Sequence, residues 1–169
     1  MAKFGAIYLS IDVTKKSIEE VENVAAILVK QGYLFTVRYH QDSPWIQLYI
    51  DEPENVISYA KQVARIFPNK QTLGLAAYTV SDSVSFCYFQ GEQLIRLLQS
   101  GFNQERQWEI IEGEKQAWED ELFSKLTLEI GKIGMVSYHI QQIGVLLNLP
   151  GFGIPKQGEP WTKEIRPHD

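Results

Sequence analysis

"YLFTVRYHQDSPWIQLYI", residues 33–50, holds Tyr33, Phe35, Tyr39, Trp45 and Tyr49 around a short polar centre. Asp42 and Ser43 can bond their own local backbone, and Pro44 presets a turn dihedral, so "QDSP" reads as a turn. Aromatic and β-branched residues flank it on both sides, which makes the stretch a hairpin with strands over 33–40 and 45–51. The place of this hairpin decides how the rest of the chain folds.

On its N-terminal side, residues 3–11 alternate: Ile7, Leu9 and Ile11 point one way, and Phe4, Ala6, Tyr8 and Ser10 the other. A helix follows, with an apolar stripe of Ile18, Val21, Ala25 and Leu28. Ser17 with Glu20 forms a capping-box pattern, Thr14 offers a cap one turn earlier, and Gly32 suits the C-terminal end. On the other side, "DEPENVISYAKQVARIF" reads as a second helix, with Pro53 at its first turn and Val56, Ala60, Val63 and Phe67 as its stripe. A strand over 72–80 completes β-α-β-β-α-β. That order predicts an α+β, ferredoxin-like βαββαβ core with an antiparallel sheet.

The chain continues as a meander, "TLGLAAYTV", "SVSFCYF" and "QLIRLL", separated by the turn dipeptides "SD" and "GE". The sheet is therefore expected to extend beyond four strands. A short strand at 108–111, a helix over 114–125 with Trp118 and Leu122 inward, and a helix over 132–148 follow. The last helix has Ile133, Val136, Ile140, Ile143 and Leu147 as its stripe. These two helices are expected to cover the second sheet face. Residues 1–149 read as a single α+β domain, made of the core over 1–80 and the meander and helices over 81–149. Residues 150–169 read as an extended tail with four of the seven prolines, pinned by Phe152 and Trp161.

In this arrangement Ile7, Leu9, Ile11, Ile46, Leu48 and Ile50 face the first two helices. Phe4, Tyr8, Trp45 and Tyr49 collect on the opposite face, and Tyr33, Phe35 and Tyr39 are expected to join them; the facing of this second strand stays open, because its other set, Leu34, Thr36, Arg38 and His40, is a poor core face. An RNA-binding sheet presents aromatics in such a way. Here the net charge is −5 with a pI near 5.3, and the basic aromatic segment of such proteins is missing, so no nucleic-acid partner is expected. Burying the rings under the C-terminal layer is the expected use of this face.

At 169 residues and 44% apolar, the chain can enclose one core. No apolar run reaches the roughly 20 residues of a membrane span, so no membrane association is expected. The lone Cys87 excludes an internal disulfide framework and a multi-cysteine metal site, and predicts a cytoplasmic protein. Cys87 lies mid-strand, where cysteine is a small apolar core residue. His40, His139 and His168 have no metal-ligand spacing, and "PGFGIPKQG" follows a helix and contains prolines, unlike a dinucleotide-binding turn. No catalytic residue, metal site or cofactor is expected.

Residues 105–121 are rich in carboxylates. The expected function is that of an interaction or regulatory module without catalytic activity. It would dock a basic protein partner through Trp108, Glu112, Glu114, Trp118, Glu119 and Glu121, or associate as a homodimer. The alternative is a small-molecule-binding or enzymatic domain, with a pocket between the aromatic sheet face and the C-terminal layer lined by Tyr8, Tyr39, Trp45, Tyr49 and Arg96. Arg96, isolated in "LIRLL", either points outward or pairs with a buried acid, Glu109 and Glu112 being the candidates.

Overall fold

The computed structural model describes residues 3–12, 17–151 and 160–167. They form a mixed α+β structure with an eight-stranded antiparallel sheet and four helices. In chain order these are β1 (Lys3–Ser10), α1 (Ser17–Lys30), β2 (Thr36–Tyr39), β3 (Trp45–Tyr49), α2 (Val56–Ile66), β4 (Gln71–Tyr78), β5 (Ser83–Gln90), β6 (Gln93–Ser100), β7 (Trp108–Gly113), α3 (Ala117–Leu122), α4 (Tyr138–Leu146) and β8 (Lys163–Ile165). A 3₁₀ turn, Pro53–Asn55, leads into α2. The strands lie in the order β7-β6-β5-β4-β1-β3-β2-β8. Thr14, Phe152, His168 and most of "PGFGIPKQG" lie outside the described residues.

The register explains the two faces. Ile7 pairs with Leu48, and Leu9 with Ile46, so these aliphatic side chains share the face covered by α1 and α2. From α1 come Val21, Val24, Ala25 and Leu28; Val24 takes the place expected for Ile18, which is 46% exposed. From α2 come Val56, Ala60, Val63 and Ala64. Gly74 lets α2 approach, because a Cβ there would stand 2.6 Å from the Cys87 Sγ and 3.2 Å from Ala60 Cβ.

The other face carries Ala6, Tyr8, Trp45, Leu75, Phe86 and Leu98, packed with Trp108, Phe123, Met135, Ile140 and Ile143. Strand β2 corrects one expectation. Val37 pairs with Leu48 and Tyr39 with Ile46, which places Tyr39, and with it Tyr33 and Phe35, on the α1/α2 side. The same alternation turns Arg38 to the opposite side. There its guanidinium lies over Tyr49, 4.9 Å from the ring centroid, and Trp161, at 5.7 Å. The tail adds strand β8, in which Glu164 pairs with Arg38.

The C-terminal helices are shorter than their periodicity predicts. Residues 133–136 are not helical: Ile133 bridges to Gln107 and is 67% exposed, and the Ser100 hydroxyl donates to the Met135 carbonyl at 2.6 Å. Gly134 lies so close to the Trp108 ring that a Cβ would stand 2.9 Å from it. This extended passage delays the helix to Tyr138. Helix α3 covers only Ala117–Leu122, and Glu119 ties it to the sheet. Arg96 donates to both oxygens of Glu119, at 2.6 and 3.1 Å, and to the Gly113 carbonyl at 2.9 Å. The Gln116 N–H donates to the same carboxylate at 2.6 Å. Arg96 therefore pairs with Glu119, not with Glu109 or Glu112. The two acids expected as partners sit on β7, whereas α3 lowers its own carboxylate over the sheet.

Two outcomes test this packing. Arg96→Met leaves Glu119 buried without a counter-ion and should cost about 3–5 kcal/mol in urea unfolding, whereas Arg96→Met/Glu119→Leu should recover most of it. Gly134→Ala should cost about 1–3 kcal/mol by overpacking against Trp108 and Ser100, read from the same denaturation curves.

Candidate functional site

The groove with the largest volume among those described, about 680 Å³, opens at the end of the sheet where β2 begins and β3 ends. Its wall is aromatic. Tyr33 and Phe35, on the connection from α1 to β2, stack at 5.3 Å between centroids, and Tyr59 of α2 meets Phe35 edge-on at 5.4 Å. Tyr49 closes the β3 side, and Pro167, after β8, borders it. Asp51 and Glu52 stand at its rim, both exposed. Glu52 is oriented by two donors, Asn55 Nδ2 at 2.8 Å and the Tyr59 hydroxyl at 3.1 Å. That bond to Glu52, with its negative charge, holds the Tyr59 phenol above its usual range. The Tyr33 hydroxyl donates to Gln62. Among the described lining residues there is no lysine, arginine or histidine. Aromatic faces and carboxylates together favour a cation.

This groove was not foreseen from the sequence. Asp51 and Glu52 read there as the opening residues of the second helical segment, and Tyr33 and Phe35 as part of the opposite sheet face. The available signal was parity: positions 33, 35, 37 and 39 share one side, and Val37 belongs with the aliphatic face.

The expected docking residues divide. Glu112, Glu114 and Glu121 are exposed and Trp118 is half-buried. Trp108 and Glu119 are buried, the first edge-on to Phe123 at 5.5 Å and the second bonded to Arg96, so neither offers surface to a partner. Part of the remaining charge is used internally. Lys115 pairs with Asp120, and Glu109 accepts the Gln104 N–H at 2.9 Å.

The expected pocket residues are not brought together. Tyr8 is fully buried beneath Gln47, Tyr39 faces the helices, Tyr49 borders the groove and Arg96 is consumed by Glu119. Only Trp45 borders a cavity between the sheet and the C-terminal layer, of about 140 Å³.

The histidines lie apart. His40 lies tilted against Trp161 with ring centroids 4.3 Å apart, while His139 accepts the Val136 N–H on Nδ1 at 3.0 Å and is held below its ordinary range by burial. Among the described residues no group of three His, Cys, Asp or Glu side chains is placed to hold a metal ion, and no helix is long and apolar enough to cross a membrane. Comparison with protein-family models, curated proteins and solved structures gives no match.

Cys87 is fully buried under Gly74, and burial pushes its thiol up to about 12. A thiol reagent should therefore leave the native protein unmodified and react only after denaturation. The unfolded thiol ionises near 9 while the folded one keeps its proton, so this group's contribution to stability should be intact below pH 9 and fall as pH rises beyond it. Urea midpoints at pH 8 and 10, compared with those of Cys87→Ala, read out that difference.

Proposed function

We propose that this protein is a binding module that receives a basic protein segment in the aromatic groove. A Lys or Arg side chain would lie against Tyr33, Phe35 and Tyr59 with its charge between Asp51 and Glu52. The observation that carries this reading is the groove's composition: four tyrosine and phenylalanine rings, two exposed carboxylates and no described cationic side chain. A cation on such rings contributes about 0.5–2 kcal/mol depending on its desolvation, and the paired carboxylates add attraction and steering. The acidic net charge supports a protein partner over nucleic acid, and the single buried thiol supports a cytoplasmic setting. The first half is read as a ferredoxin-like unit. The order β4-β1-β3-β2, with α1 and α2 packed on one face, supports that reading. The acidic segment 105–121 is a lesser candidate for the same kind of partner, having lost Trp108 and Glu119 to the interior.

Fluorescence anisotropy with a short labelled Lys/Arg/Gly peptide at low salt tests the proposal. Asp51→Asn/Glu52→Gln and Phe35→Leu should each weaken binding by about tenfold, and Glu112→Gln/Glu114→Gln/Glu121→Gln should leave it unchanged. The reverse pattern would move the site to the acidic segment. Spermidine binding as tightly as the peptide would overturn the protein-partner reading.

A further inference from the structure

A second site lies at the other end of the sheet, independent of the groove. We propose that the cavity between the sheet and the C-terminal layer binds a neutral, single-ring aromatic compound bearing a hydroxyl or similar polar group. Its walls are the rings of Trp45, Phe86, Tyr88 and Trp118, contributed by β3, β5 and α3. Two of these walls are held by contacts with their neighbours on the lining. Trp45 Nε1 donates to the Leu147 carbonyl at 3.0 Å, and Trp118 sets its edge against Phe86 with centroids 5.2 Å apart. A preorganised aromatic box of this kind favours a flat guest, which meets ring faces and edges without displacing them.

Size selects one ring. The cavity measures about 140 Å³, and an apolar cavity of about 150 Å³ in another protein interior takes up benzene. Charge selects a neutral guest. Among the described residues no ionic side chain lines the cavity, and Arg96, beside Tyr88 in the sheet register, is satisfied by Glu119 of α3. Polarity selects the substituent. Among the described residues the polar groups of the lining, beside the indole N–H groups, are the Tyr88 hydroxyl and the amides of Gln71 and Gln116, of which Gln71 is exposed at the mouth. Gln116 already donates to the Glu114 carbonyl at 2.8 Å and the Tyr88 hydroxyl already accepts from the Gln90 amide at 2.9 Å, so Gln71 is the group assigned to meet a hydroxyl.

Phenol titrated into the full-length ¹⁵N-labelled protein tests the assignment. The indole N–H signals of Trp45 and Trp118 should move saturably, while that of Trp161 stays in place. Leu147→Trp and Gln71→Trp each grow a ring into the space, one from a half-buried wall and one from the exposed mouth. In a variant that keeps the native spectrum, phenol binding should weaken by about tenfold or more. Gln71→Trp, at an exposed position, secures a folded variant if Leu147→Trp unfolds. Binding that survives Gln71→Trp, shifts no larger at Trp45 and Trp118 than at Trp161, or equal affinity for cyclohexanol would each overturn the proposal.

Discussion

A strand with no exposed side imposes the whole architecture. Ala6, Ile7, Tyr8 and Leu9 of β1 are all at 0% exposure, so both faces of the sheet must be covered at its centre. Alternation allows each neighbour to send one set of side chains to each layer. Helices α1 and α2 cover the aliphatic set. The C-terminal third of the chain covers the aromatic set, and it does so with loop and short helix as much as with regular elements. Cover ends where β2 begins, and there the rings of Tyr33 and Phe35 pass from core to groove wall.

The second layer is anchored by charge in an unusual place. Arg96 and Glu119 are both nearly inaccessible, with every strong donor direction of the guanidinium near the sheet used by a carboxylate or carbonyl. Desolvating such a pair costs about as much as its attraction returns, so its value lies in position more than in net stability. A helix of six residues has little propensity of its own to form. The pair tells it where to sit, and Trp118 and Phe123 follow it onto the sheet.

Regular periodicity made most of the strands and the first two helices readable. Residues 3–11, 45–49, 72–78 and 83–89 read as strands, and 56–67 carry a clean helical stripe. Three features escaped for separate reasons. Stripe periodicity at 133–147 fits a helix, yet close packing at Gly134 against Trp108 overrides it locally. The facing of β2 depends on register with β3, a tertiary fact that composition obscured, because aromatic Tyr39 resembles Trp45 more than it resembles Val37. The pairing of Arg96 required knowing that α3 folds back over β6, which no spacing encodes. The groove joins residues 33–35, 49–52 and 59, so its chemistry emerges only once the hairpin is placed beside α2.

Both margins of the sheet are guarded, but by different means. The β2 margin is paired along Val37–Tyr39 by a strand from the tail. Among the described residues, the β7 margin is bridged at its start alone, by residues 131–133. Beyond that point β7 presents Glu112, with Glu114 just after. Like charge on an uncovered strand repels a second copy of the same strand. Glu112 and Glu114 thus act against edge-to-edge growth of the sheet, and protonating them with acid or screening them with salt weakens that repulsion.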